Sequence, residues 1–341
     1  VDSVVSVGGH AYREDIRKAT FRFLNIYLKQ DAKPIVDSEV DLVVGEGNNR
    51  KHPIPPEQLR VFPNDADLPR DERNTTIDQT FVPLATVTLP TSDKEYGPWK
   101  QKLLAELRRV SFSWFPKQVR VAQVKDVAAP WEHLETEPGI TIASRRYRTN
   151  ENRSAKPKRL LLLVRTKDSK NVAPAWLKPQ LQEGDQLYDC QTRGTGTGSW
   201  TRKNPPNYVE RSHVLLGDTV DAGRVRDVVA TVKHLQAKFK NQVPIHVAGE
   251  GAAAVIASYA ALLDESIGGV IVHQPPHSHM EPTAPQLLNV LRVCDIPHAL
   301  GMIAPRPLII SGTIPAKLDI TRKIYKAAGA VGQLKISPHS K

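Results

Sequence analysis

The sequence is poor in cysteine and in aromatic residues, and it contains no long apolar run. Its two cysteines, Cys190 and Cys294, cannot form a disulfide framework, and their spacing matches no zinc-binding motif. The longest unbroken apolar stretches, such as Leu160–Val164 and Ala252–Ile256, are far shorter than the roughly 20 residues that span a bilayer. Residues 1–5 lack the basic region of a signal peptide. We therefore expect no membrane span, and the cysteines leave the cellular compartment open.

The sequence has fewer acidic than basic residues: it contains 47 Lys and Arg and 36 Asp and Glu, and its net charge is +11. Such an excess can indicate a polyanionic partner. The basic residues are nevertheless spread along the whole chain, and no RNA-binding signature or zinc-finger spacing accompanies them. We expect no nucleic-acid partner, and we interpret the charge as a solvated basic surface.

Composition divides the chain into three segments. Residues 1–31 contain Gly8-Gly9-His10 and then apolar residues at helical spacing, which predict an amphipathic helix of about four turns. Residues 32–98 are interrupted repeatedly by proline, which predicts a linker or wrapping segment with one strand at Phe81–Leu89. Residues 99–341 have the pattern of one α/β domain.

Within residues 99–341, short apolar runs alternate with helical patterns. Because apolar strands separated by helices of ten or more residues form mostly parallel sheets, we expect such a sheet with helices on both faces. A sheet of this kind carries its functional site at the carboxyl ends of its strands. The expected helices are Lys100–Val110, Ala175–Gln182, Ala222–Lys238, Ala252–Leu263 and Ala284–Val293. The expected strands are Trp131–Leu134, Ile140–Tyr147, Leu160–Val164, Asp185–Tyr188, Pro244–Ala248, Gly269–Val272, Pro307–Ser311 and Gln333–Ser337.

The sequence around Glu250 predicts a sharp turn from a strand into a helix. Such an elbow needs small residues two positions before and two positions after its apex, because larger side chains would clash where the chain reverses. Ala248 and Ala252 satisfy this spacing and put Glu250 at the apex, where an esterase carries its serine. The elbow is therefore expected without its serine.

Further motifs surround this elbow. Residues 188–196 read Tyr-Asp-Cys-Gln-Thr-Arg-Gly-Thr-Gly, residues 221–227 read Asp-Ala-Gly-Arg-Val-Arg-Asp, and residues 304–308 read Ala-Pro-Arg-Pro-Leu. Together with the elbow, they resemble the acetyl xylan esterase and dienelactone hydrolase branch of the α/β-hydrolase superfamily over residues 99–341. The resemblance implies an α/β-hydrolase-like fold, carboxyl-ester hydrolysis, and a carbohydrate or small acyl ester as substrate. It also implies a secreted or periplasmic location, which the chain itself leaves undecided.

The N-terminal segment resembles a different part of the same family. Residues 9–17 and 23–29 are similar to its catalytic-histidine loop and final helix, which come last in such a hydrolase. Residues 334–339 are similar to the matching last strand and histidine loop. Two interpretations remain open. In the first, residues 1–31 are the tail of a preceding hydrolase copy, which would then be a partner domain, and residues 99–341 are a diverged second copy. In the second, the N-terminal helix completes the fold in permuted order.

Several catalytic parts that the resemblance implies are missing. A charge relay needs a nucleophile, a histidine and a carboxylate within hydrogen-bond reach. No acid stands in residues 310–317 after the penultimate strand, and Asp319 is expected to cap the next helix. The segment Arg165–Ser169 replaces the family's glycine-rich oxyanion loop. We therefore expect a diverged site and do not expect conventional serine-esterase activity.

If the chain is catalytic, we expect Glu250 to act with His339 or His10 as the base. We favour a degenerate apex, because the positive end of a helix dipole stabilises a carboxylate there. The alternative function is a non-catalytic module that stabilises a hydrolase domain or binds glycans. The elbow residues that would supply oxyanion donors are Gly249, Gly251 and Ala252.

Two other motifs are candidate binding sites. His273, His277 and His279 follow a strand, but no cysteine or acidic residue stands beside them to complete a zinc site. Residues 194–198 form a glycine-rich loop, but a proline-rich segment follows it where a phosphate-binding loop needs a helix. We expect no metal and no cofactor.

Overall fold

The computed structural model describes residues 3–6, 8–9, 13–35, 54–74, 76–77, 83–147, 157–166, 173–199, 208–312 and 318–338. The chain forms two compact units, residues 1–77 and residues 78–341. Each unit is described by itself.

The main element of the first unit is helix α1, Glu14–Leu24, which continues as a π-helical turn at Asn25–Lys29. Acidic residues occupy its first turn, where they complement the helix dipole. The rings of Phe23 and Tyr27, four residues apart, lie 4.6 Å from each other. The amphipathic helix expected in residues 1–31 is thus present. Two short 3₁₀ helices follow at Pro56–Leu59 and Asp65–Asp67.

The second unit contains the sheet and most helices. Its α-helices are α2 (Asp93–Val110), α3 (Tyr208–Leu215), α4 (Val220–Lys238), α5 (Ala252–Leu263), α6 (Ile296–Gly301) and α7 (Asp319–Ala327). Its strands are β1 (Gln123–Ala128), β2 (Trp131–Glu137), β3 (Ile140–Arg146), β4 (Arg159–Arg165), β5 (Asp185–Gln191), β6 (Ile245–Glu250), β7 (Ile267–His273), β8 (Leu308–Gly312) and β9 (Leu334–Pro338). None of the helices among the described residues has the length and apolar character needed to cross a membrane.

The strands form one mostly parallel sheet in the order β1-β2-β3-β5-β4-β6-β7-β8-β9. β1, β2, β3 and β5 pair antiparallel, and the strands from β5 to β9 in this order pair parallel. The predicted sheet architecture is confirmed. β4 lies in the middle of the sheet and is buried on both faces, as its unbroken run of leucines predicts.

The core has two layers, one on each face of the sheet. Leu160 and Leu162 face the larger layer, which also contains the apolar sides of α2, α4, α5, α6 and α7. Leu161 and Leu163 face a smaller layer that includes Leu177 from a 3₁₀ helix at Ala175–Gln180. This second layer places the 3₁₀ helix above the carboxyl ends of the central strands.

Two predicted elements are wrong. The described residues of the expected strand, 83–89, form no strand, because their backbone groups bond to a helix side chain and a loop: the Trp99 indole donates to Thr88, and the Ala85 N–H donates to Leu291. The expected helix at Ala284–Val293 is an irregular loop with one 3₁₀ turn, Val290–Arg292. Pro285 lacks an N–H to donate, and Asn289 has a left-handed φ of 58° that ends any helix.

Candidate functional site

The elbow joins β6 to α5. β6 ends at Glu250, α5 begins at Ala252, and Gly251 between them has φ 57° and ψ −128°. Residues with a side chain rarely adopt this conformation. The chain therefore reverses at Gly251, one residue after the apex that the spacing of Ala248 and Ala252 predicted.

Packing inside the elbow explains why the apex lies at Gly251 and not at Glu250. A Cβ atom on Gly249 would lie 2.5 Å from the carbonyl carbon and oxygen of Ala253. The two small residues that the reversal needs are therefore Gly249 and Ala253, and they are centred on Gly251. A Cβ atom on Gly251 would meet no atom within 4 Å in the part of the chain that the structure describes. The reversal thus faces open space and carries no side chain.

Glu250 lies immediately before the reversal with its side chain exposed. Its Oε2 accepts a hydrogen bond of 3.0 Å from the indole Nε1–H of Trp176, in the 3₁₀ helix. The Trp176 ring stacks on the imidazole of His273, with centroids 4.9 Å apart and planes 7° from parallel. These contacts hold the carboxylate and the indole against each other at the end of β6.

The strand register aligns three polar residues at the carboxyl ends of neighbouring strands. Glu250, His273 and Ser311 are paired across β6, β7 and β8. His273 is buried, and its Nδ1 lies 2.9 Å from the Ser311 hydroxyl oxygen. Parallel pairing therefore places a carboxylate, an imidazole and a hydroxyl side by side, as expected for the carboxyl edge of such a sheet.

A cleft of about 750 Å³ opens above this edge. Its floor consists of the carboxyl end of β4, the elbow and the segment that follows β7. A volume of this size is typical of small-molecule sites. The side chains and backbone that line it belong to Leu163, Val164, Arg165, Thr166, Trp176, Glu250, Gly251, Ala252, Ala253, Gln274, Pro275, Pro276, His277, Glu281 and Thr283.

The structure brings together only part of the predicted site. Gly249, Glu250, Gly251 and Ala252 form the elbow, but His10 and His339 lie outside the described residues, as does the acid-poor segment 313–317. Asp319 is the first residue of α7 and pairs with Arg322 at 2.6 Å, one position later than the expected cap.

The three clustered histidines do not converge on one point. His273 contacts Trp176 and Ser311, whereas the Nε2 of His279 accepts from the Tyr259 hydroxyl at 2.9 Å. His277 lines the cleft. Among the described residues, no group of three or more His, Cys, Asp or Glu side chains could hold a metal ion.

A buried ion cluster behind the cleft was not predicted. The Asp189 carboxylate is fully buried and accepts from Arg165 Nε at 3.2 Å and from the Tyr147 hydroxyl at 2.8 Å. Arg145 lies 3.6 Å from the same carboxylate. Burial raises the pKa of Asp189, and Arg165, Tyr147 and Arg145 oppose this shift. Arg165 therefore reaches the cleft paired with a buried carboxylate that it shares with Arg145.

A second buried pair joins two of the family-like motifs. Arg193 bonds to Asp227 in a two-pronged arrangement, with Nε to Oδ2 at 3.0 Å and Nη2 to Oδ1 at 2.7 Å. Burial lowers the pKa of Arg193, but Asp227 and Glu137 together more than offset this, and the net pKa is raised. The two residues are 34 positions apart, so only their shared occurrence in the motifs could have suggested that they meet.

Comparison with known proteins agrees with this architecture. No family model and no curated protein matches the sequence. A protein from Bacteroides fragilis, provisionally assigned as an acetyl xylan esterase, matches in structure with a TM-score of 0.53 and 17% identity, over 75% of this chain and 78% of that one. A carbohydrate esterase family 15 glucuronoyl esterase from Caldicellulosiruptor kristjansonii matches with a TM-score of 0.53 and 12% identity, over 77% of this chain and 88% of that one. At such low identities the likeness establishes the fold, and this chain has the α/β-hydrolase-like fold of these esterases.

Proposed function

We propose that this chain is a diverged relative of carboxyl-ester hydrolases whose cleft binds a ligand without hydrolysing it. The observation that carries this proposal is Gly251 at the reversal. In α/β-hydrolases the nucleophile sits on this strained turn, and the N–H of the following residue helps to bind the oxyanion. Glycine has no side-chain atom that could attack a carbonyl carbon.

The rest of the cleft supports binding. It keeps a volume suited to a small molecule, an aromatic wall at Trp176 and charged groups at its rim. Gly251, Ala252 and Ala253 at the start of α5 line the same space, although the Gly251 N–H already donates to the His273 carbonyl at 3.0 Å. The first N–H groups of a helix have no partner within it. By resemblance, the ligand class is a carbohydrate or a small acyl ester.

The test is hydrolysis of p-nitrophenyl acetate and of an acetylated xylo-oligosaccharide by the wild-type chain and by Gly251→Ser. We expect the wild-type chain to release product no faster than buffer. A fluorophosphonate probe, which labels activated serines, should leave the wild-type chain unmodified. Wild-type turnover of either ester would overturn the proposal, and the Gly251→Ser variant then shows whether a hydroxyl at the reversal adds to it.

A second candidate function is catalysis by Glu250, with His339 or His10 as the base. The observation that favours it is the Glu250 carboxylate, which lines the cleft beside the reversal and is oriented by Trp176. A carboxylate in this place could attack an ester or activate water. This candidate requires wild-type turnover that Glu250→Ala abolishes and that His339→Ala or His10→Ala lowers by a similar factor.

We also propose the domain organisation inferred from the sequence. Residues 1–31 are the tail of a preceding hydrolase copy, residues 32–98 link the two, and residues 99–341 are the diverged copy. This organisation rests on the order of the motifs in the sequence. Deletion of the first unit, described in the Discussion, separates it from the permuted alternative.

A further inference from the structure

The described side chains that line and back the cleft carry net negative charge although the chain as a whole is strongly basic. Three ionic side chains of the described residues line it: Arg165, Glu250 and Glu281. Arg165 pairs with the buried Asp189 carboxylate, 3.2 Å from its Nε, and the buried Arg145 shares that carboxylate at 3.6 Å, so this cluster keeps one net positive charge. Glu250 and Glu281 have neutral partners, the Trp176 indole at 3.0 Å and the His277 backbone N–H at 2.8 Å. Two carboxylates therefore face the cleft with no Lys or Arg of the described residues paired to them.

The amino end of α5 also faces this space and has the opposite sign. A helix dipole is equivalent to about half a positive charge at the first turn. Even together with the one positive charge left in the Arg145, Arg165 and Asp189 cluster, that half charge does not balance the two carboxylates. The cleft therefore favours a positively charged ligand over a neutral or negative one of the same shape.

Trp176 supplies the second element of the site. Its ring lines the cleft and is fixed from below by stacking on His273, which is itself buried and bonded to Ser311. Its N–H is used by Glu250. An indole ring held in place next to a carboxylate attracts an organic cation through its π face while the carboxylate provides the counter-charge.

We propose that the cleft recognises the ammonium group of an organic cation, with Trp176 as the aromatic wall and Glu250 and Glu281 as counter-charges. This inference rests on the proposed function, since it names the ligand class of the same cleft. It requires no bond making or breaking. Above Gly251 no atom of the described residues lies within 4 Å of the place of a Cβ, which leaves room for the ligand there.

The test is equilibrium binding of choline to the full chain by calorimetry or by NMR titration. The matched control ligand is dimethylbutanol, in which a carbon atom replaces the quaternary nitrogen of choline and removes its charge. We expect saturable choline binding that is about tenfold tighter than dimethylbutanol binding and that weakens as salt is added. Equal binding of the two ligands, or no saturation by choline, would overturn the inference.

Three variants assign the binding to the cleft. We expect Glu250→Gln, Glu281→Gln and Trp176→Leu each to weaken choline binding by about fivefold or more. Glu183→Gln makes the same charge change at an exposed turn before β5, at the opposite end of the strand from the cleft, and should leave it unchanged. Far-UV circular dichroism confirms that each variant is folded. If Glu183→Gln weakened choline binding equally, the effect would be one of overall charge and would contradict the proposal.

The two proposals fail separately. Choline is not an ester, so its binding is independent of turnover. A chain that hydrolyses esters and still prefers choline to dimethylbutanol contradicts only the proposed lack of catalysis. A chain that is inert and binds both ligands equally contradicts only the inference about the cation.

Discussion

The position of the reversal can be tested by adding one methyl group at each elbow glycine. In Gly249→Ala the new Cβ would lie 2.5 Å from the carbonyl carbon and oxygen of Ala253. Carbon atoms in contact are normally about 3.5–4.0 Å apart, so the first turn of the buried helix α5 must move by about 1 Å. We expect a cost of about 3 kcal/mol or more, because both contacting groups are backbone in a tightly packed layer.

Gly251→Ala should cost less, for a different reason. Its Cβ meets open space, so the only penalty is the backbone conformation at φ 57° and ψ −128°. Such strain costs about 1–3 kcal/mol for a residue with a side chain. Gly97→Ala is the matched control, because Gly97 lies inside α2 with open space at its Cβ. It should be neutral or stabilising by about 0.5–1 kcal/mol.

Urea denaturation followed by tryptophan fluorescence measures these differences. All five tryptophans lie in residues 78–341, so the signal reports on the unit that contains the elbow. The expected order of stability is Gly97→Ala at or above wild type, then Gly251→Ala, then Gly249→Ala. If Gly251→Ala is as stable as wild type, or less stable than Gly249→Ala, the chain does not reverse at Gly251.

Three further predictions concern other parts of the chain. Asp227→Asn leaves the buried Arg193 with only the partly exposed Glu137 as an ionic partner and should cost about 3 kcal/mol in urea unfolding. Asp319→Asn, at an exposed pair, should cost less than about 1 kcal/mol, and equal effects would contradict the argument. Burial, with a smaller contribution from Arg159, lowers the pKa of His246 from 6.5 to about 4. The unfolded state therefore binds a proton first, and the free energy of unfolding of the wild-type chain should fall by about 3 kcal/mol as the pH falls from 6.5 to 4. A pH series of urea unfolding should show a smaller loss in His246→Gln. Removal of residues 1–77 should leave the fluorescence-detected unfolding midpoint unchanged if they belong to a preceding copy, and a large decrease would favour the permuted arrangement.

The sheet could be predicted because its signals are local. The leucine run at residues 160–164 is too short for a typical buried helix and fits a strand buried on both faces. The small residues at 252–263 form the helix with the bounds that were expected. The expected helix at 284–293 is absent, and Asn289 within it has a left-handed φ that a helix does not allow. The apolar spacing in that segment reflects burial in a loop and carries no information about helical structure.

The sequence locates the elbow but does not determine which residue lies at its apex. Small residues occupy positions 248, 249, 251, 252 and 253, so two frames one residue apart satisfy the same spacing rule. Only the φ of Gly251 and the contact between Gly249 and Ala253 distinguish them. The ion pairs could not be predicted from the sequence, because partners such as Arg193 and Asp227 are far apart in the chain and are brought together by the topology of the fold.

The contact between Arg193 and Gly223 has a consequence for how related sequences can vary. A Cβ atom on Gly223, inside α4, would lie 2.4 Å from Nη1 of Arg193. A glycine at this place weakens the helix by about 0.5–1 kcal/mol, and the guanidinium that fills its space explains why it is there. The two positions should therefore covary: relatives with arginine at 193 keep glycine at 223, and those that lose the arginine are free to carry alanine in the helix.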